Sequence, residues 1–94
     1  MKQNYTPIAS NTLLLIPAYN EENTINSLIV KCKKYFPNIL VINDKSDDKT
    51  YEEACLANPT YILSHTFNCG QGLALSTGLK FFLNETEFDY LITF

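Results

Sequence analysis

No arginine and no tryptophan occur in the 94 residues, and glycine appears only three times. Seven lysines face ten acidic side chains, for a net charge of -3. No basic run or basic helical face is present, so the electrostatic footprint of a nucleic-acid binder is missing. The cysteines, Cys32, Cys55 and Cys69, are odd in number and contain no Cys-x-x-Cys pair. That pattern speaks against a disulfide framework and fits reduced thiols in a cytoplasmic protein. The longest purely aliphatic run, Leu13 to Ile16, is far too short to cross a bilayer, and the opening "MKQNYTPIASNT" has no apolar core of a signal peptide. No membrane or targeting segment is expected in this chain.

What is present is a hydrophobic fraction of 46% with 13% aromatics, the composition of a folded chain and far from that of disorder. The length allows one small domain, of a size that leaves much apolar surface thinly covered.

After a polar N-terminal extension over residues 1–11, two kinds of segment alternate. "TLLLIP" is a short continuous apolar run suited to a strand covered on both faces, with Pro17 expected to end it. Ile25, Leu28, Ile29, Cys32, Tyr35 and Phe36 then fall at helical spacing and predict a helix from about Glu22 to Tyr35, its lysines gathered near the C-terminus. "ILVIN" is a second buried run. Thr50 with Glu53 reads as a capping box for a second helix, through about Ala57. "TYILSH" is a third strand, and "NCGQG" a glycine-bearing turn. Leu75, Gly78, Leu79 and Phe82 mark the inner stripe of a third helix, and "DYLITF" reads as a buried fourth strand. The order β-α-β-α-β-α-β with short connections predicts an α/β fold, a four-stranded, mostly parallel, Rossmann-like sheet with helices on its faces.

Ligands of such sheets bind beyond the carboxyl ends of the strands. The first loop, "PAYNEEN", places Tyr19 where its ring can stack on a planar ligand. The same residues also fit a plain helix start, with Asn20 or Asn23 as cap and Glu21 and Glu22 at the positive end. In the second loop, Asp44 directly follows the apolar run and can accept from a nucleobase N–H. The reading of Asp44 as a turn former stands beside that one, and for Asp47 and Asp48 the turn and helix-start role is preferred. In the third, "NCGQGLA", Gly70 and Gly72 would let a phosphate or diphosphate approach a helix N-terminus, and a plain turn glycine followed by a helix-packing glycine is the equal alternative. Position 75 is Leu, so the dinucleotide fingerprint is absent, as is a phosphate-binding loop ending in Gly-Lys-Ser/Thr. His65 and Cys69 alone fall short of a tetrahedral metal site, and none of the cysteines has a nearby base that would mark it as a nucleophile. A phosphoacceptor domain of similar α/β order would need an aspartate ending strand three, where Ser64 and His65 stand.

Together, "LLLIPAYNEENTI", "VINDKSDDKT" and "NCGQGLALSTGL", in this order and spacing, resemble the N-terminal nucleotide-binding half of family 2 glycosyltransferases, over about Thr12 to Phe94. The resemblance implies a partial GT-A fold over residues 12–94 and a UDP- or GDP-sugar donor. Pro17, Ala18, Tyr19 and Glu21 would line the base and ribose site, and Asp44 would bind the base. Asn68, Gly70 and Gly72 would shape the third wall, while Ala74 and Gly78 let the third helix lie close to the sheet. Asn43 stands where a second Asp is common, and Gln71 and Ser76 where basic residues often occur, which is expected to weaken diphosphate binding.

The family's D-x-D motif, which holds Mg²⁺ or Mn²⁺ on the sugar diphosphate, would begin just after strand four. The intact family member is therefore expected to use a divalent metal and possess a catalytic base that residues 1–94 do not contain. No catalytic or metal-binding residue is assigned, and the chain is expected to be inactive alone. A small nucleotide-binding module that has lost transfer, pairing along its exposed sheet edge, is the alternative.

Overall fold

The computed structural model describes residues 4–94. Eight elements follow one another: α1 (Pro7–Ser10), β1 (Thr12–Ala18), α2 (Ile25–Cys32), β2 (Ile39–Asn43), α3 (Thr50–Leu56), β3 (Tyr61–Ser64), α4 (Gln71–Glu85) and β4 (Tyr90–Thr93). The strands form one sheet in the order β3-β2-β1-β4, and every pair is parallel.

The register explains which side chains meet. Leu14 pairs with Ile39 and Ile16 with Val41, so even positions of β1 share a face with odd positions of β2. On that face Leu14, Ile16, Ala18, Ile39 and Val41 pack against Ile25 and Ile29 of α2 and against Ala54 of α3. On the other, Leu13, Leu15, Leu40 and Ile42 pack against Ala74 of α4. The two central strands thus bury side chains in both directions, which is why each reads as an unbroken apolar run instead of alternating.

α4 lies very close to β1. A Cβ on Gly78 would stand 2.5 Å from Cδ2 of Leu15, so only glycine fits this contact without displacing Leu15. The inner face of α4 runs through Ala74 and Gly78 to Phe81 and Phe82, whereas Leu79, expected inside, is exposed.

Several other expectations are corrected. Pro17 does not end β1, because it pairs with Ile42 and the strand continues to Ala18. Leu15 O accepts from Phe94 N, whereas Leu14 N and Ala18 O bond toward the β2 side. Pro17 shares the parity of Leu15, so its missing N–H falls on the β4 side and costs the pairing with β2 nothing. α2 is shorter at both ends than expected, and its N-cap is Thr24 instead of Asn20 or Asn23. The expected capping box is absent: Thr50 lies inside α3 and its hydroxyl bonds Asp48. β4 is a largely exposed edge strand among the described residues, so the run "DYLITF" is not buried, whereas the exposed sheet edge expected there is present.

Of the polar extension, residues 1–3 lie outside the described residues. The rest is more ordered than its composition announced: Thr6 caps α1 through its side chain, Ala9 is buried, and Tyr5 donates to Lys33 O at 2.6 Å.

Candidate functional site

The helices after β1 and β2 cover one face and the helix after β3 covers the other, so the winding reverses between β1 and β4. A crevice beyond the carboxyl ends of the strands is the position such a reversal opens for a ligand. A cavity of about 150 Å³ lies there, lined by Pro17, Ala18 and Tyr19 from the end of β1, Glu21, Asp44 from the end of β2, and Gln71 and Ala74 from the start of α4.

The first and second loops are stitched together. Asn20 adopts a left-handed backbone, φ 51°, which a short polar side chain tolerates better than most. Three successive amides of the first loop then find acceptors in the second loop and the first residue of α3: Asn20 N bonds Ser46 Oγ at 3.0 Å, Glu21 N bonds Thr50 Oγ1 at 2.7 Å, and Glu22 N bonds Asp48 Oδ2 at 3.3 Å. In return Asp47 N donates to Asn20 Oδ1 and Lys49 N to Glu22 Oε2, both at 2.9 Å. Asp48 starts α3 by accepting from Thr50 N, as preferred for it, but also holds the neighbouring loop. Tyr19 is 43% exposed beside these contacts, its ring available to a ligand.

Asn43, at the end of β2, links the neighbouring strand and loop. It is buried, and its Nδ2 donates to Ser64 Oγ at 3.2 Å while its Oδ1 accepts from Ser46 Oγ at 2.6 Å. The amide thus serves as donor to a strand-end hydroxyl and acceptor from a loop hydroxyl, and joins β2 to β3 and to the second loop.

Asp44 is the centre of the site. Its side chain is almost wholly buried, and three donors from the third strand and loop converge on it. His65 Nδ1 and Cys69 N each lie 2.8 Å from Oδ1, and Gly70 N lies 2.8 Å from Oδ2. Because a carboxylate only accepts, the His65 Nδ1 position carries the proton. The far nitrogen, Nε2, meets Thr77 Oγ1 on α4 at 2.8 Å, so His65 ties β3, Asp44 and α4 together. Burial pushes the Asp44 carboxyl up, but the hydrogen bonds from Cys69, His65 and Gly70 outweigh it and hold the group below the ordinary carboxylate value.

Gly70 makes the third loop possible. Its φ of 88° and ψ of 164° belong to a region essentially reserved for glycine, and this turn aims its amide at Asp44 before α4 begins. Gly72 is already helical and has open space around its Cα, while Asn68 is exposed on the loop. The structure therefore gathers Pro17, Ala18, Tyr19, Glu21 and Asp44 around the cavity and places Gly70 against Asp44. Asn68 and Gly72 do not line the cavity. His65, discounted as a metal ligand, is a site residue that sequence reasoning missed. The available signal was its position, one residue past the end of a parallel strand, as Asp44 is past β2.

Asp44, His65 and Cys69 do offer three metal-ligating atoms within 4.8 Å of one another. Mg²⁺ and Mn²⁺ prefer oxygen donors, whereas a thiol and an imidazole suit softer ions, and the carboxylate here is already engaged by three N–H groups. This trio does not fit the divalent ion expected for the family, and no chemical step is assigned to it.

A family model described as glycosyl transferase family 2 matches residues 13–94. The chain belongs to this family. Its similarity extends to an uncharacterized protein of Methanocaldococcus jannaschii, 40% identical over 68 residues that make up 71% of this chain and 28% of that protein. A second uncharacterized protein of the same organism is 28% identical over 86 residues, 85% of this chain and 37% of its own length. Among solved structures, glucosyl-3-phosphoglycerate synthase from Mycobacterium tuberculosis, in complex with Mn²⁺, UDP-glucose and phosphoglyceric acid, superposes with a TM-score of 0.66 at 24% identity. That likeness covers 87% of this chain and 32% of the synthase chain. The Rossmann-like GT-A architecture expected from the family is therefore present, and the chain spans about a third of the length of these relatives. No helix among the described residues is long and apolar enough to cross a membrane.

Proposed function

We propose that the cavity binds the nucleoside diphosphate of a UDP- or GDP-sugar, and that these residues form the donor-binding part of a glycosyltransferase acting on an acceptor hydroxyl. The observation that carries this reading is the convergence of Tyr19, Asp44 and the N-terminus of α4 on one cavity at the sheet's reversal point. Tyr19 would stack on the base and Asp44 accept its N–H, while Pro17, Ala18 and Glu21 enclose base and ribose. The diphosphate would lie toward Asn68, Gly70, Gly72 and the start of α4, a helix of 15 residues whose free amides and dipole favour an anion. Membership of the family and the UDP-glucose held by a solved relative of the same fold support the assignment.

Transfer needs a base to deprotonate the acceptor hydroxyl, and in this family a divalent ion supplies charge stabilisation at the departing diphosphate. Neither group is assembled among the described residues. We therefore assign to the 94-residue chain nucleotide binding without transfer, in the cytoplasm, independent of Mg²⁺ or Mn²⁺.

Calorimetry with UDP and GDP, with and without Mn²⁺, tests the assignment. Saturable binding that Mn²⁺ leaves unchanged is expected, and Tyr19→Ala and Asp44→Ala should each weaken it roughly tenfold, about 1.4 kcal/mol. Failure of a folded sample to bind either nucleotide would overturn it.

A further inference from the structure

We infer that the third loop presets Asp44 as a single acceptor, and that the cavity therefore selects a uracil-type pyrimidine, with one ring N–H, over guanine. The inference rests on the reading of this cavity as a nucleotide site and names the base.

An ionised carboxylate offers about four lone-pair positions. In Asp44 three are filled from within the chain: two on Oδ1, by His65 Nδ1 and Cys69 N, and one on Oδ2, by Gly70 N. One position remains, on Oδ2. Uracil presents one N–H between two carbonyl oxygens and needs one acceptor. Guanine presents its ring N–H and its amino group side by side, a pair that matches a carboxylate with both oxygens open. Against Asp44 one of those donors would meet an oxygen that is already saturated, and a buried donor without a partner is costly.

His65 acquires a role in this account as a specificity-determining residue. It occupies the second position on Oδ1 and is itself held by Thr77 from the far side. Removing it opens an acceptor on Oδ1 while the loop amides stay in place, which converts the carboxylate into one that can meet two donors.

The test is calorimetric titration of the full 94-residue chain with UDP, GDP and N3-methyl-UDP, in which the methyl group deletes the single donor. UDP is expected to bind at least tenfold more tightly than GDP, and N3-methyl-UDP at least tenfold more weakly than UDP. In His65→Ala the preference for UDP over GDP should shrink severalfold, and His65→Gln, which keeps a donor, should restore part of it. GDP binding as tightly as UDP, or undiminished binding of N3-methyl-UDP, would overturn the inference while leaving the nucleotide site intact. Absence of binding by all three would overturn the nucleotide site itself.

Discussion

Gly70 and Asp44 join the third loop to the end of β2, the amide of the one 2.8 Å from Oδ2 of the other, and the bond exists because Gly70 holds a backbone conformation essentially closed to other residues. A local dihedral choice in the third loop therefore sets the state of a carboxylate at the end of the second strand.

Gly70→Ala should destabilise the chain by about 1–3 kcal/mol although nothing lies within 4 Å of the new methyl group, because the cost is backbone strain. Gly72→Ala, in open space within the helix, should leave stability unchanged or raise it by up to roughly 1 kcal/mol. Urea denaturation separates the two. If Gly72 admits a diphosphate as proposed, its variant should still bind UDP more weakly.

Acid should loosen the loops before it unfolds the sheet. Asp44 and Asp48 both titrate below the ordinary 3.8, Asp48 because bonds from Thr50 and Glu22 outweigh the upward push of burial. A depressed folded value means that their contribution is complete above the unfolded value and is lost as pH falls through the folded one. Stability should therefore show no dependence on these groups above about pH 5 and decline below about pH 4. Asp44→Asn should flatten part of that decline, and an unchanged acid slope would count against the geometry described.

Thr50 is fully buried, and its hydroxyl accepts from Glu21 N while donating to Asp48. Thr50→Val preserves shape and deletes both bonds, so it should cost roughly 1–3 kcal/mol and release the first loop from the second. Faster exchange of the Glu21 amide would localise the effect.

The edge strand β4 exposes Tyr90, Ile92 and Phe94. Its residues of odd number turn their backbone groups away from β1, where no further strand follows among the described residues. We propose that the chain self-associates along this edge. Sedimentation should show concentration-dependent association that Ile92→Lys diminishes, and a clean monomer at high concentration would refute it.

Much of this was legible in the sequence because the central strands are covered on both faces. Continuous runs such as "LLLI" and "ILVI" announce that situation directly, and parallel pairing and the three polar loops follow from it, whereas the strand order β3-β2-β1-β4 is read only from the structure. What escaped was set by tertiary contacts. Pro17 reads as a stop, yet its missing N–H falls on the β4 side and leaves the pairing of β1 with β2 intact. Leu79 fits the helical stripe but turns outward, since the close approach of Gly78 to Leu15 rotates the buried face toward Ala74. Asp44 could be placed at the site from its position alone, while the three donors that occupy it come from residues 65–70 and leave no mark on the spacing around it. The ordered turn at Pro7–Ser10 was hidden by polar neighbours whose side chains serve as caps.

The order in which the sheet closes has a consequence for how the chain folds. β1 meets β2 across one helical connection, whereas β1 meets β4 only after β2, β3 and three helices have intervened, Thr12 beside Tyr90. Loop-closure entropy favours the nearer pairing, so β3-β2-β1 should assemble first, with β4 docking late. Until β4 has been made and docks, the flank of β1 that it covers is open, and a nascent chain carries that strand unprotected on one side.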